Sequence, residues 1–130
     1  MALTREQIQA VDDIKRVEIS PPGWSGTVWV QTLTALDRDK LEQWTADRRR
    51  PDGTTDHVGV RAFLAVLVTV DENGQKLFQE GDEQWLSGKG APAVQAIYEA
   101  ALATAHISKA DVEELAKNSE GGPAEGSPSA

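Results

Sequence analysis

The segment Pro21–Trp44, PPGWSGTVWVQTLTALDRDKLEQW, constrains the fold more than any other part of the chain. Pro21, Pro22 and Gly23 predict a turn, because proline fixes φ and glycine tolerates positive φ. Gly26 to Thr32 then alternates, with Val28 and Val30 on one face and Thr27, Trp29 and Gln31 on the other. Thr34 is placed to cap a helix, with Asp37 three residues later as a shorter-armed version of the capping-box glutamate. Upstream, Ile14 to Ser20 puts Val17 and Ile19 on one face and Arg16 and Glu18 on the other. The two alternating runs flank the PPGWS turn, which predicts an antiparallel hairpin feeding directly into a helix.

Helical spacing governs most of the rest. Leu3 to Val11 predicts a short helix with Thr4 as N-cap, Gln7 completing a capping box, and Leu3, Ile8 and Val11 as its apolar contacts. Thr34 to Arg49 predicts a helix with Leu36, Leu41 and Trp44 inward, and Pro51 to Thr55 a loop. Val58 to Val68 is apolar on most sides, as in a central buried helix. The β-branched Val66, Val68 and Val70 compete for a strand, so the expected form is a helix with an extended exit near Thr69.

Asn73-Gly74 predicts a turn that can close a small hairpin between Val68–Val70 and Lys76–Phe78. Gly81 to Leu86 predicts a short helix with Trp85 and Leu86 buried. Pro92 suits the first turn of a helix in which Ala93, Val94, Ile97, Tyr98, Ala101, Leu102 and Ala105 recur at helical spacing. Ser108 caps a last short helix, with Asp111 at N3 and Val112 and Leu115 inward. Ser119–Ala130 lacks any large apolar residue and is expected to be disordered. The predicted fold is therefore α+β: an N-terminal antiparallel β-hairpin, then a small helical bundle, as one domain over residues 1–118 with a tail over 119–130.

The chemistry-bearing residues point away from catalysis. There is no cysteine, which removes disulfides, thiolate metal sites and cysteine nucleophiles. His57 and His106 have no partner at metal-ligand spacing, and both read as structural or solvated. No serine sits in a GxSxG setting. Ser87-Gly88-Lys89-Gly90 lacks the Walker pattern, and Asp71–Gly74 lacks the later positions of a calcium loop. Asp12-Asp13 and Glu113-Glu114 are adjacent pairs whose side chains point apart on a helix. The expectation is a binding protein without catalytic residues, metal or cofactor.

A net charge of −8 disfavours a general binder of nucleic-acid backbone. The one basic cluster, Arg48-Arg49-Arg50, reads as a helix C-terminus, with an anionic ligand site as the alternative. The longest apolar stretch, Val58–Val70, is interrupted by Arg61 and is too short to span a bilayer. The charged N-terminal segment is unlike a signal peptide, so a cytoplasmic protein is expected.

The aromatic residues carry the positional clue to binding. Trp44, Trp85 and Tyr98 have apolar neighbours at helical spacing and are expected in the core, the tyrosine hydroxyl reaching toward the surface. Trp29 shares its strand face with Thr27 and Gln31, with Arg16 and Glu18 as expected cross-strand neighbours. An indole on a polar face is either covered by the chain or open to a partner. Trp24, in the turn, carries the same choice, and Trp29 and Trp24 are the candidate partner-binding residues.

The order of these elements resembles the tail assembly chaperones of siphophages and related prophages. The likeness rests on the Pro21–Trp44 block, the apolar segment Val58–Val70, the turn VDENGQKLF at Val70–Phe78 and the closing SKADVEELAKN at Ser108–Asn118. It spans roughly residues 3–118, and the chain departs from the family pattern at Trp29 and in the loop 50–57. The resemblance implies a non-enzymatic protein of the bacterial host cytoplasm. Such a protein coats the tape measure protein, keeps it soluble and helps recruit tail tube subunits.

The resemblance also implies a longer form made by ribosomal frameshifting near the gene's end. Ala116-Lys117-Asn118 is compatible with a slippery heptamer. The alternative class is a small virion structural protein, a tail or head-completion component. An acidic inhibitor or nucleic-acid mimic is a third, but the carboxylates are scattered over several elements. The sequence leaves homo-oligomerisation open.

Overall fold

The computed structural model describes residues 1–104. Ala105, His106, the helix expected after Ser108, the tail 119–130 and the domain boundary at residue 118 lie outside them. Eight elements follow in order: α1 (Arg5–Ala10), β1 (Arg16–Ile19), β2 (Val28–Gln31), α2 (Ala35–Ala46), α3 (Val60–Val68), β3 (Thr69–Val70), α4 (Glu83–Leu86) and α5 (Ala91–Thr104). The fold is α+β, with an N-terminal antiparallel hairpin followed by helices.

The hairpin closes as its turn residues dictate. The amide of Trp24 donates to the Pro21 carbonyl at 3.1 Å, and Gly23 takes φ +85° at the position where a type II turn demands it. β1 and β2 pair with Val17 opposite Val30, Glu18 opposite Trp29 and Arg16 opposite Gln31. β3 adds antiparallel to the far side of β2, giving the order β1-β2-β3. One face of this sheet, carrying Ile19, Val28 and Val30, packs into the core.

α3 is the centre of that core. Its residues Ala62 to Val68 are all buried, so the helix is apolar on every side and needs cover all round. It starts after Gly59, which caps it in the left-handed region at φ +90° and lies against the Trp44 ring. It runs straight into β3, and the competing helix and strand signals resolve by division at Thr69. The Thr69 hydroxyl, fully buried, donates to the Ala65 carbonyl at 2.6 Å, which satisfies it inside the last helical turn. The small hairpin beyond survives in reduced form, as a bridge between Val70 and Lys76 around a turn that Asp71 closes with bonds from the amides of Asn73 and Gln75.

α2 begins with the predicted cap: Thr34 Oγ1 accepts from the Asp37 amide at 3.1 Å. The reciprocal half of the box does not form, because the Asp37 carboxylate turns to Lys76 Nζ at 2.7 and 2.8 Å instead. Asp37, Leu41, Trp44 and Thr45 make the buried stripe. Leu36, expected inward, is 64% exposed, since it precedes Asp37 by one residue and hence by about 100° of helical rotation. Lys40 binds Glu80 at 2.7 Å, so α2 holds the segment 76–80 at two points.

α1 forms with its predicted capping box intact, Thr4 and Gln7 bonding reciprocally. It buries nothing: Leu3, Ile8 and Val11, expected as its apolar contacts, are 57, 58 and 52% exposed. The helix is stabilised by its own cap rather than by packing. The arginine cluster lies just past the end of α2, where the macrodipole favours it. Arg48 stacks over Trp44 at 3.5 Å and Arg50 clasps Thr54 and Asp56 across the loop.

Candidate functional site

The C-terminal end of α4 and the start of α5 are joined by Ser87-Gly88-Lys89-Gly90, and this loop contributes to two open apolar grooves. α4 is a single turn, so Trp85 and Leu86 point about 100° apart and only one can face the core. Leu86 is fully buried. Trp85, expected beside it in the core, is 50% exposed. Its ring rests edge-on against Phe78 with centroids 5.7 Å apart, and Lys89 Nζ lies 5.9 Å from its centroid.

The first groove is aromatic. Trp24 from the hairpin turn, Phe78 and Trp85 line it, together with Pro22 and Lys89. Trp24 is half-buried and packs against the core, and its turn delivers it to the groove. The second groove, lined by Val58, Val60, Ala62, Pro92 and Val94, also takes in Arg61 and His57 and shares Lys89 with the first. Arg61 stacks over the Tyr98 ring at 5.0 Å. Each groove holds about 620 Å³. Val58, 81% exposed, and Trp85 stand as the apolar projections of this surface.

Basic groups beside the grooves of a chain of net charge −8 are a local feature, contributed here by Arg61 and Lys89. Covering the exposed half of a tryptophan removes about 100 Å² of mostly apolar area from water, worth about 2–3 kcal/mol. The grooves are thus suited to hold an apolar segment with acidic groups along its edge. Ser87 Oγ, at the rim of the second groove, donates to the Glu83 carbonyl at 2.7 Å.

Trp29 lies elsewhere. It is half-buried, sits outside the core cluster, and faces the other side of the sheet from Val30. Val70, its partner across the β2–β3 ladder, is fully buried, while Glu18, its partner on β1, is exposed. The face is therefore closed toward β3 and open toward β1. The two candidate indoles, Trp24 and Trp29, share no ring contact among the described residues, and of the two Trp24 alone lines either of these grooves.

Helical spacing alone does not place Trp85 and Val58 on this surface. The one sequence signal for Trp85 is its place beside Leu86 in a helix too short to bury both. Among the described residues no group of three or more His, Asp or Glu could hold a metal ion, and no helix is long and apolar enough to cross a membrane. No protein-family profile, curated protein or solved structure matches the chain.

Proposed function

We propose that this chain is a non-enzymatic phage tail assembly chaperone. It covers apolar helical segments of a tape measure protein, keeps that protein soluble and helps recruit tail tube subunits around it. The observation that carries the reading is the pair of apolar grooves that share Lys89, with Trp85 half exposed in the first. An amphipathic helix laid into a groove is recognised through apolar anchors on one face, and an aromatic cleft beside an aliphatic one offers seats for such anchors. The identity of the partner comes from the resemblance in element order. Trp24 and Trp85 contact the partner in the first groove, and Trp29 serves a separate contact on the open sheet face. Location in the host cytoplasm and a longer frameshifted product sharing residues up to about Asn118 belong to the same proposal.

The experiment is capture of tagged protein from cells expressing a tail operon that contains its gene. Recovery of the tape measure protein is the expected result, with this chain minor or missing in purified particles. Stoichiometric presence in particles without tape measure binding would establish the rival, a small virion structural protein.

A further inference from the structure

Among the described residues β1 is an edge strand of the sheet. Hydrogen-bond phase along the strand follows from one bond: the Thr32 amide donates to the Lys15 carbonyl at 2.8 Å. Lys15 and Thr32 are thus a hydrogen-bonded pair, and by alternation so are Val17 with Val30 and Ile19 with Val28. Arg16 and Glu18 occupy the intervening positions, so their backbone N–H and C=O groups point away from β2, at the open edge. No backbone group of either residue makes a bond outside the ladder among the described residues. The opposite edge of the sheet is partly closed by the bridge from Val70 to Lys76. Val17, between the two outward residues, is 39% exposed.

We infer that two copies of this chain associate through β1, antiparallel, with Val17 opposite Val17 of the other copy. Charge selects this register. Only Arg16 and Glu18 offer outward backbone groups within the strand, so a hydrogen-bonded antiparallel pair must match these positions among themselves. Centring on Val17 places Arg16 opposite Glu18 of the second copy, and Glu18 opposite its Arg16. Each such pair exchanges both its N–H···O bonds. Slipping by two residues in either direction places Arg16 opposite Arg16, or Glu18 opposite Glu18, and like charges directly across a ladder are destabilising. A slip of one residue leaves the outward groups out of phase.

Neither side chain has an ion-pair partner of its own among the described residues: Arg16 donates to the Glu72 carbonyl at 3.1 Å, and Glu18 accepts from the Thr27 hydroxyl at 2.7 Å. Both side chains lean inward across the sheet, the Arg16 guanidinium against Gly74, so pairing swings them outward and exchanges each of these bonds for the opposite charge on the second copy. The pairing joins two three-stranded sheets into one and places each Trp29 one strand in from the seam, on a continuous face. A four-residue strand buries little area, so the dimer is weak and concentration-dependent. This inference is independent of the partner assigned to the grooves.

Charge reversal tests it. Sedimentation velocity over a range of concentrations should show reversible dimerisation of the native protein. Arg16→Glu alone and Glu18→Arg alone should each weaken self-association at least about tenfold, because each places like charges opposite. An equimolar mixture of the two variants should associate. One then presents carboxylates at both positions and the other guanidinium groups at both, so opposite charges face each other throughout. A native protein that stays monomeric, single reversals without effect, or a mixture that fails to associate would each overturn the inference. Should a variant fail to fold, amide exchange of the native protein reads the same edge. The Arg16 and Glu18 amides should be protected at high concentration and exposed on dilution. Protection at every concentration would mean that the chain's own residues cover the edge, and would overturn the proposal.

Discussion

At the scale of single residues, direction matters more than composition. The four tryptophans occupy four different environments: Trp44 in the core, Trp24 packed on the core at a groove, Trp29 half-buried on the second sheet face, and Trp85 half exposed. Their truncation should separate accordingly. Trp44→Ala should cost about 3–5 kcal/mol, because the ring stacks on Phe63 at 5.2 Å and carries the Arg48 guanidinium over it. Trp29→Ala should cost about 1–2 kcal/mol and Trp85→Ala about 1 kcal/mol or less, as befits residues outside the core. Chemical denaturation of the three variants checks this order, and a Trp29→Ala loss equal to that of Trp44→Ala would remove Trp29 from the partner-binding face.

Sequence spacing identifies Trp44 and Leu41 correctly, because they recur with the period of α2. It misplaces Leu36 and Trp85. In both cases an apolar residue stands one step from the position that faces inward. At α2 that inward position is held by Asp37, whose charge is matched by Lys76 from a segment far along the chain. No local pattern announces such a partner.

At the scale of elements, local chemistry predicts what local chemistry decides. The Thr4–Gln7 box, the Thr34 cap, the turn at Gly23 and the division of the apolar run at Thr69 all form. Each depends on residues within a few positions of one another. What packs against what is less legible. α1 has good caps and three apolar residues, yet it buries none of them, since a six-residue helix can form at the surface without joining the core. Removing residues 1–12 should therefore lower stability by less than about 1 kcal/mol, measured by thermal melting. A larger loss would show that α1 packs in solution. The two ion pairs from α2 to residues 76 and 80 act differently. Lys40–Glu80 is exposed and contributes little, whereas Asp37–Lys76 answers a buried carboxylate that would be costly to leave alone.

At the scale of the molecule, the candidate surface is assembled from segments that are distant in sequence. Trp24 arrives on the hairpin turn, Phe78 after β3, Trp85 on α4 and Pro92 on α5. Its residues have no shared motif, which explains why the sequence points to Trp24 alone among them. On the proposed function, this surface holds an apolar helical segment of a tape measure protein. The most direct measurement is the solubility of that protein in cells, alone and with this chain. Co-expression with the native chain should move the tape measure protein into the soluble fraction. Trp85→Ser, expressed at the same level and equally folded, should return much of it to the pellet, through about 2–3 kcal/mol of lost contact. A tape measure protein whose solubility is unaffected by the native chain, or equally rescued by the Trp85→Ser variant, would mean that this surface does not hold it.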